Sequence, residues 1–350
     1  MVADAAGVHL STVSLALRNN ERLSPATRER IQALAQKMGY TPNPLVSLLM
    51  ARVRRRNTGY KGTLGFLYTV AADSSKLRGR VHRNFLVGAR RRAQELGYRL
   101  DEFFMDGPES SRRLSTIFRA RGISGVVIAH LTGPACPGRR LSLDLTGLAA
   151  ASVGIPFAEP QLHYVANDQY MRAIIAAREL LALGYRRIGL VLEGSFDTGM
   201  AHRCSAGYWA VQEYTEEVEP IPIHRQRSGD KTTLAQWLKK HRPDAVLSTS
   251  SNVLPAIRAT GRQVPEDIGF AHLDWLPEHG EIAGVHGNSE RTGAAAVELV
   301  VSQLHRGESG LPPRAMSHLV TGSWVPGPTL RQVGPPLELD RSFFTDLRHE

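Results

Sequence analysis

The sequence predicts an α/β protein in two parts: a small helical head, and a larger body of doubly wound parallel sheets in two lobes. Three observations carry this expectation. From Gly62 onward, short β-type runs alternate with amphipathic stretches of helical period. The first forty residues hold three short helical patterns separated by a glycine turn and a polar break. Basic charge is concentrated in that head: residues 1–60 carry nine Lys/Arg against three Asp/Glu, whereas the remaining 290 residues carry 34 against 30.

The helical patterns of the head follow from local chemistry. Residues 2–6 end at Gly7, a turn residue. In residues 10–18, Val13, Ala16 and Leu17 share one helical face; Leu10, Ser11, Ser14, Leu15 and Arg18 share the opposite one. Asn19 and Asn20 break the pattern. The third helix opens with Ser24 as N-cap and Pro25 at the first helical position, where its missing N–H costs nothing. Its apolar stripe is Ile31, Leu34, Ala35 and Met38, and it stops at Gly39. Two short helices across a turn with a third behind them is a helix-turn-helix plan, and a basic head on a nearly neutral body suits a nucleic-acid partner. A solvated basic surface would give the same charge. Residues 43–51 form a further segment, capped by Asn43 with Pro44 behind it, which is apolar on too many sides to stand alone. Arg52, Arg54, Arg55 and Arg56 follow it.

In the body, strands are expected at 63–70, 98–104, 123–131, 186–192, 244–250 and 267–273, with helices at about 83–96, 168–183, 202–217, 230–241 and 289–306. Gly97 and Gly184 each end a helix just before a tyrosine and a strand, which suggests two related halves. In such sheets ligands bind beyond the carboxyl ends of the strands. Thr69, His130 and Asp274 occupy strand ends, and Asn252 follows another. A strand-end polar group satisfied by its own neighbours is the competing reading for Thr69 and His130. Asp168 is expected to cap the helix that begins there. Trp275 either stacks on a ligand ring or seals its lobe.

The segments AGV (6–8), STVS (11–14), SPATRERI (24–31), MGY (38–40) and TPNPLVSLL (41–49) resemble, in order and spacing, the head of the lactose-repressor/galactose-repressor family. Residues 165–191, 242–252, 264–275 and 293–307 resemble that family's effector domain, which is similar to periplasmic sugar-binding proteins; the likeness covers roughly residues 2–330. It implies a DNA-binding domain over 1–42, a hinge helix and basic linker over 43–61, a two-lobed effector-binding and dimerisation domain over 62–330, and a tail over 331–350 with no counterpart, expected to be poorly ordered. It makes 10–18 the recognition helix, with Leu10, Ser11 and Leu15 at base-reading positions, Thr12 and Ser14 facing phosphates, and Arg18 on the same DNA-facing side. Leu49 takes the place of the hinge leucine that wedges into the minor groove. Asp274 matches the effector-binding aspartate, Asn252 a polar cleft residue, and Arg203 lies one residue from the usual place of the effector arginine.

The chain departs from the family at His9, where serine is usual, and at Leu15, where a polar residue is common. Leucine cannot hydrogen-bond a base edge but can touch a thymine methyl; packing of Leu10 and Leu15 on a neighbouring helix is the alternative. The helix at 2–6 is barely more than one turn, and the family carries four or five residues ahead of it, so an upstream-extended version is expected to bind DNA better.

The resemblance further implies operator DNA and a small-molecule effector of the sugar or nucleoside class as partners, a homodimer, and a repressor. With no basic start, no continuous apolar stretch at the N-terminus and no run approaching the ~18–20 residues of a membrane span, a cytoplasmic location with no membrane partner is expected. Cys136 and Cys204 offer no disulfide framework. An enzyme is not expected, nor a cofactor or metal. No GxGxxG follows residues 63–70, no GxxxxGK[ST] occurs, GSFDTG (194–199) is no nucleophile elbow, and the 13 histidines lack metal-ligand spacing. A transport-associated sugar-binding protein shares the fold but lacks the basic head.

Overall fold

The computed structural model describes residues 2–17, 23–38, 60–75, 80–131, 136–226 and 231–337. The chain divides into two compact units, Met1–Lys61 and Gly62–Glu350. Each is taken by itself.

The first unit holds helices α1 (Val2–Ala6), α2 (Leu10–Ala16) and α3 (Pro25–Lys37). Its core is made of small and branched side chains: Val2, Ala6, Val13, Ala16, Ile31 and Ala35. The face of α2 expected to turn inward, Val13 and Ala16, is buried, and Leu17 packs against the same cluster. Helices this short would leave their last carbonyls unpaired. Two side chains of α3 satisfy them: Arg30 Nη1 donates to Ala6 O (3.2 Å) and Gln32 Nε2 to Ala16 O (2.8 Å). Ser24 caps α3 by accepting from the Thr27 N–H (3.3 Å). The stripe of α3 is shorter than expected, because Met38, in the cap position, is 38% exposed.

The second unit has two lobes. The first lobe is a fully parallel sheet, β11-β5-β4-β3-β1-β2, built from β1 (Gly62–Tyr68), β2 (Tyr98–Phe104), β3 (Gly125–His130), β4 (Ala149–Gly154), β5 (His163–Asn167) and β11 (Ser317–Val320). One face is covered by α4 (Arg80–Glu95) and α11 (Ser289–Arg306), which contribute Phe85, Ala89, Ala93, Val297 and Val300 to the core. The other is covered by α5 (Ser110–Ala120) and the segment 141–148.

The second lobe has the order β12-β10-β9-β8-β6-β7, from β6 (Ile188–Glu193), β7 (His224–Gln226), β8 (Ala245–Ser248), β9 (Gly269–Trp275), β10 (Gly284–His286) and β12 (Ser323–Val325), the last antiparallel to β10. α6 (Gln169–Ala182) and α8 (Arg203–Glu213) cover one face. α9 (Lys231–His241) and α10 (Val253–Arg258) cover the other. Burial on both faces is why the strands read as continuous apolar runs rather than as alternation.

Three crossovers join the lobes, at residues 167–169, 286–289 and 320–323. They are tied to one another. Asn167 Nδ2 donates to Gly287 O and to Thr292 Oγ1, Asn288 Nδ2 donates to Thr321 O (2.9 Å), and the Asp168 N–H donates to Val320 O (2.9 Å). Asp168 also caps α6 as expected, accepting from the Met171 N–H (3.1 Å).

Two findings correct or sharpen the sequence reading. The tail does not loosen at Arg331. Residues 331–337 pack on the second lobe, with Val333 N–H donating to Leu183 O (2.9 Å) and Leu337 N–H to Leu181 O (3.0 Å). Leu337 also packs against the lobe's core, Arg186 Nη2 donates to Pro335 O (2.8 Å), and the Arg331 N–H donates to Tyr185 Oη (3.2 Å). Gly184, at φ +90°, turns the chain there, and a Cβ on it would collide with the Gly334 backbone.

The contact of α4 with α11 likewise depends on missing side chains. A Cβ on Gly88 would fall on the Glu290 carbonyl, and one on Gly293 on the Phe85 carbonyl. Gly88→Ala should therefore cost about 1–3 kcal/mol by forcing the helices apart, despite alanine's better helix propensity. Chemical denaturation would check this; a variant as stable as the parent would show that the helices can separate freely.

Candidate functional site

In the head, register on α2 sets Leu10, Ser11, Ser14 and Leu15 away from the buried Val13 and Ala16. Thr12 and Leu15 are half-buried. Of Leu10, Ser11 and Ser14 only the backbone is described, and Arg18 and Leu49 lie outside the described residues.

In the body, the topology puts the expected ligand cleft beyond the carboxyl ends of the strands of the two lobes, and two side-chain contacts bridge the lobes. Arg203 Nη2, at the start of α8, donates to Tyr164 Oη on β5 (3.0 Å). Arg139 Nη1 donates to Gly199 O, at the end of α7 (Gly194–Gly199), at 3.4 Å.

Asp274, at the end of β9, is 23% exposed, and its Oδ1 accepts from Arg172 Nη1 at 2.8 Å. Arg172 is 1% exposed, lies in the first turn of α6, and also donates from Nη1 to Leu273 O (3.2 Å). Room for its guanidinium exists because residue 287 is glycine: a Cβ there would collide with Nη2. Arg172 thus lies where the crossovers meet and holds the cleft carboxylate at the same time.

Beside Asp274, the buried His272 accepts the Asp274 N–H at Nδ1 (3.1 Å), and its ring packs 4.2 Å from that of His279. Ser251 Oγ lies 3.2 Å from His279 Nε2. Burial first, then the neighbouring His279, pushes His272 down to about 4. In the first lobe, His130 is buried at the end of β3 with its ring 4.6 Å from that of Phe157, and burial pushes it down to about 4. His82, on α4, is held down at about 4 chiefly by burial, and it feels the charges of both Asp274 and His130.

The expected cleft residues meet different fates. Asp274 and His130 stand at strand ends of the two lobes, on β9 and β3. Arg203 reaches the cleft but spends a donor on Tyr164. Asn252 stands exposed ahead of α10 and makes no side-chain cap bond. Thr69 does not serve as expected: its buried hydroxyl donates to Leu131 O (3.0 Å) and accepts the Leu131 N–H (2.9 Å), tying β1 to the end of β3. Trp275 is half-buried and donates from Nε1 to Ile282 O (2.7 Å).

Sequence reasoning missed His82, Arg172, Tyr164 and Gly287. The visible signal for Arg172 was a lone charge in the apolar stretch YMRAIIAA (170–177). Nearby, Asp197 is fully buried and serves structure. Burial would raise its carboxyl, but hydrogen bonds from Ser205, His202 and Arg225 outweigh that and lower it. Among the described residues, no group of three or more His, Cys, Asp or Glu could hold a metal ion, and no helix is long and apolar enough to cross a membrane.

A helix-turn-helix unit joined to a two-lobed α/β unit with a strand-end cleft defines a class of ligand-responsive regulators. Comparison with known proteins points the same way. Residues 2–43 match the model of bacterial regulatory proteins of the lacI family, and residues 177–329 that of a periplasmic binding protein-like domain. The HTH-type transcriptional regulator CelR of Thermobifida fusca is 26% identical over 343 residues, 91% of this chain and 96% of the relative. Among solved structures, a CelR–cellobiose complex superposes with a TM-score of 0.55 at 22% identity, covering 95% of this chain and 98% of the other. The lac repressor dimer bound to operator and the anti-inducer ONPF superposes with a TM-score of 0.55 at 19% identity, covering 94% and 98%. The chain thus carries a lacI-family helix-turn-helix domain followed by a periplasmic-binding-protein-like domain, and the relatives it resembles are HTH-type transcriptional regulators.

Proposed function

We propose that this regulator is a repressor that binds a pseudo-palindromic operator as a homodimer and releases or grips it according to a small molecule held between the lobes. The observation that carries the reading is Asp274. It is a part-exposed carboxylate at a strand's carboxyl end, bound from behind by an arginine that sits among the three interlobe crossovers. A ligand engaging Asp274 acts next to the segments on which the lobes turn, and differential binding to open and closed lobes shifts their populations. The expected coupling to DNA affinity is ~1–3 kcal/mol.

Leu10, Ser11, Thr12, Ser14, Leu15 and Arg18 form the proposed DNA-reading side of the head, and Leu49 the minor-groove wedge. Asp274, His130, Arg203 and Asn252 are the proposed effector-side residues, with Arg203 and Asn252 at the rim; Thr69 supports β3 from behind. The test is selection of an operator from random duplex DNA, followed by a small-molecule screen for compounds that change binding to it. Failure to enrich any duplex would refute the DNA reading. Because the head is strongly basic, affinity should fall steeply with salt: neutralising six to ten phosphates loses about 10³–10⁵ between 50 and 200 mM. Titrations at four salt concentrations check the slope, and a flat response would remove phosphate contacts as the source of affinity.

A further inference from the structure

We propose that one side of the second lobe is a self-complementary contact for a second copy of this chain: an acidic, aromatic groove on α8 receives the basic end of the other copy's α9, and the reverse. The contact is separate from the cleft and from the head, and it does not rest on the operator or effector readings.

The groove follows from the register of α8. Cys204, Ser205, Tyr208 and Val211 are buried against the lobe. Ala206, Trp209, Ala210 and Glu213, at i, i+3, i+4 and i+7, therefore share the outer side. Trp209 is 51% exposed and Tyr214, just past the helix, 74%. With Ala206, Ala210 and Pro220 they line a groove. Two large aromatic side chains presented to water side by side form the kind of apolar patch that marks an interaction surface. Glu213 borders the same groove, and Glu216 and Glu217 follow Tyr214 in an exposed turn. None of the three is in a salt bridge among the described residues.

The basic counterpart adjoins the groove on the same lobe. Lys239 and Lys240, in the last turn of α9, and Arg242 just after it are exposed, and they too are in no salt bridge among the described residues. Arg187 joins the two regions. Its Nε donates to Arg242 O (3.0 Å) and its Nη2 to His241 O (2.6 Å), while Nη1 pairs with Glu219, the neighbour of Pro220. Acids lie on one flank of this ion pair and cations on the other. Both halves of the charge pattern belong to this chain, so the occupant they fit is another copy of it. A two-fold axis close to Arg187 and Glu219 sets each copy's cations over the other's glutamates, the closed arrangement of an isologous contact. The lysine stems lie along Trp209 and Tyr214 while their ammonium heads reach the carboxylates. Single exposed ion pairs contribute little, so the contact needs the aromatic shelf and the whole set of charges acting together.

Sedimentation equilibrium of the full chain tests this. At ~100 µM protein and ~50 mM salt, where screening is weak, the parent should have about twice the mass of a variant carrying Glu216→Lys and Glu217→Lys, and ~500 mM salt should remove the difference. Lys239→Glu with Lys240→Glu should dissociate the parent's assembly in the same way. Mixed in equal amounts, the two reversed variants should associate again, because each then meets the opposite charge. All four substitutions in one chain leave its net charge unchanged and should restore self-association. Trp209→Ala should weaken association about tenfold, as loss of a central aromatic anchor does. The comparison is between parent and variants, so an additional contact elsewhere on the chain does not disturb it. Equal mass for parent and reversed variants at every concentration overturns the contact. So does association that survives charge reversal, and so do reversed variants that fail to rescue each other.

Discussion

Asp274→Ala should abolish the response to small molecules and also lower the melting temperature of the two-lobed unit by several degrees. The second effect follows from Arg172. With 1% of its side chain exposed, it cannot turn to water when its partner is removed. Leaving a buried charge uncompensated costs about 3–5 kcal/mol. In a unit of this size each kcal/mol lowers the melting temperature by about 2–4 °C. Alanine therefore confounds loss of binding with loss of stability, and two further variants separate them. Asp274→Asn keeps an oxygen for Arg172 and should be nearly as stable as the parent while binding ligand poorly. Arg172→Met with Asp274→Leu removes both charges and should recover most of the stability without recovering the response. Thermal melts and ligand titrations on the three variants check this. An Asp274→Ala protein as stable as the parent would mean that Arg172 finds another partner, and the ion pair would no longer explain the burial.

The residues of that pair show why one half of the site was legible and the other was not. Asp274 follows an apolar run that can only be a strand, and a carboxylate just past a strand end is visible in one dimension. Arg172 looks like a stray charge on a helix until Leu273 and Asp274, a hundred residues away, come to lie against it. Thr69 fails in the opposite sense. Its position is indistinguishable from that of a ligand contact, and only the arrival of Leu131 shows its hydroxyl to be committed.

The fold divides the same way. All six expected strands exist: β1, β3, β6, β8 and β9 are apolar runs buried along most of their length, whereas β2 (YRLDEFF) is a part-exposed edge strand marked by its aromatic ends. β4, AAASVG, was missed because alanine carries little strand preference. β5, β7, β10, β11 and β12 were missed because they are three to five residues long and owe their pairing to distant partners.

Acidification should destabilise the two-lobed unit well before its carboxylates protonate. His82, His130 and His272 have an ordinary value of 6.5 and are pushed down to about 4, in each case chiefly by burial. The unfolded chain takes up these protons near 6.5, and the folded one refuses them until about 4. Stability from burying the neutral rings is therefore complete above about pH 6.5 and is lost as pH falls from there toward 4. Each pKa unit corresponds to about 1.4 kcal/mol, so the three rings together represent on the order of 5–10 kcal/mol, comparable to the whole stability of a domain.

His163 and His279, also lowered chiefly by burial, act in the same direction. Asp197 does not contribute in this window: its carboxyl lies below the ordinary 3.8, so the stability it brings is lost only at still lower pH. Melting temperatures should be flat from pH 8 to 7, fall steeply between 6 and 4.5, and recover on return to neutrality. His130→Phe, which has no proton to take up, should flatten part of the fall; its packing against Phe157 is already that of an aromatic ring. A melting temperature at pH 5 equal to that at pH 7.5 would mean that these rings are hydrated or repartnered in solution, and the cleft would then be wetter than its geometry indicates.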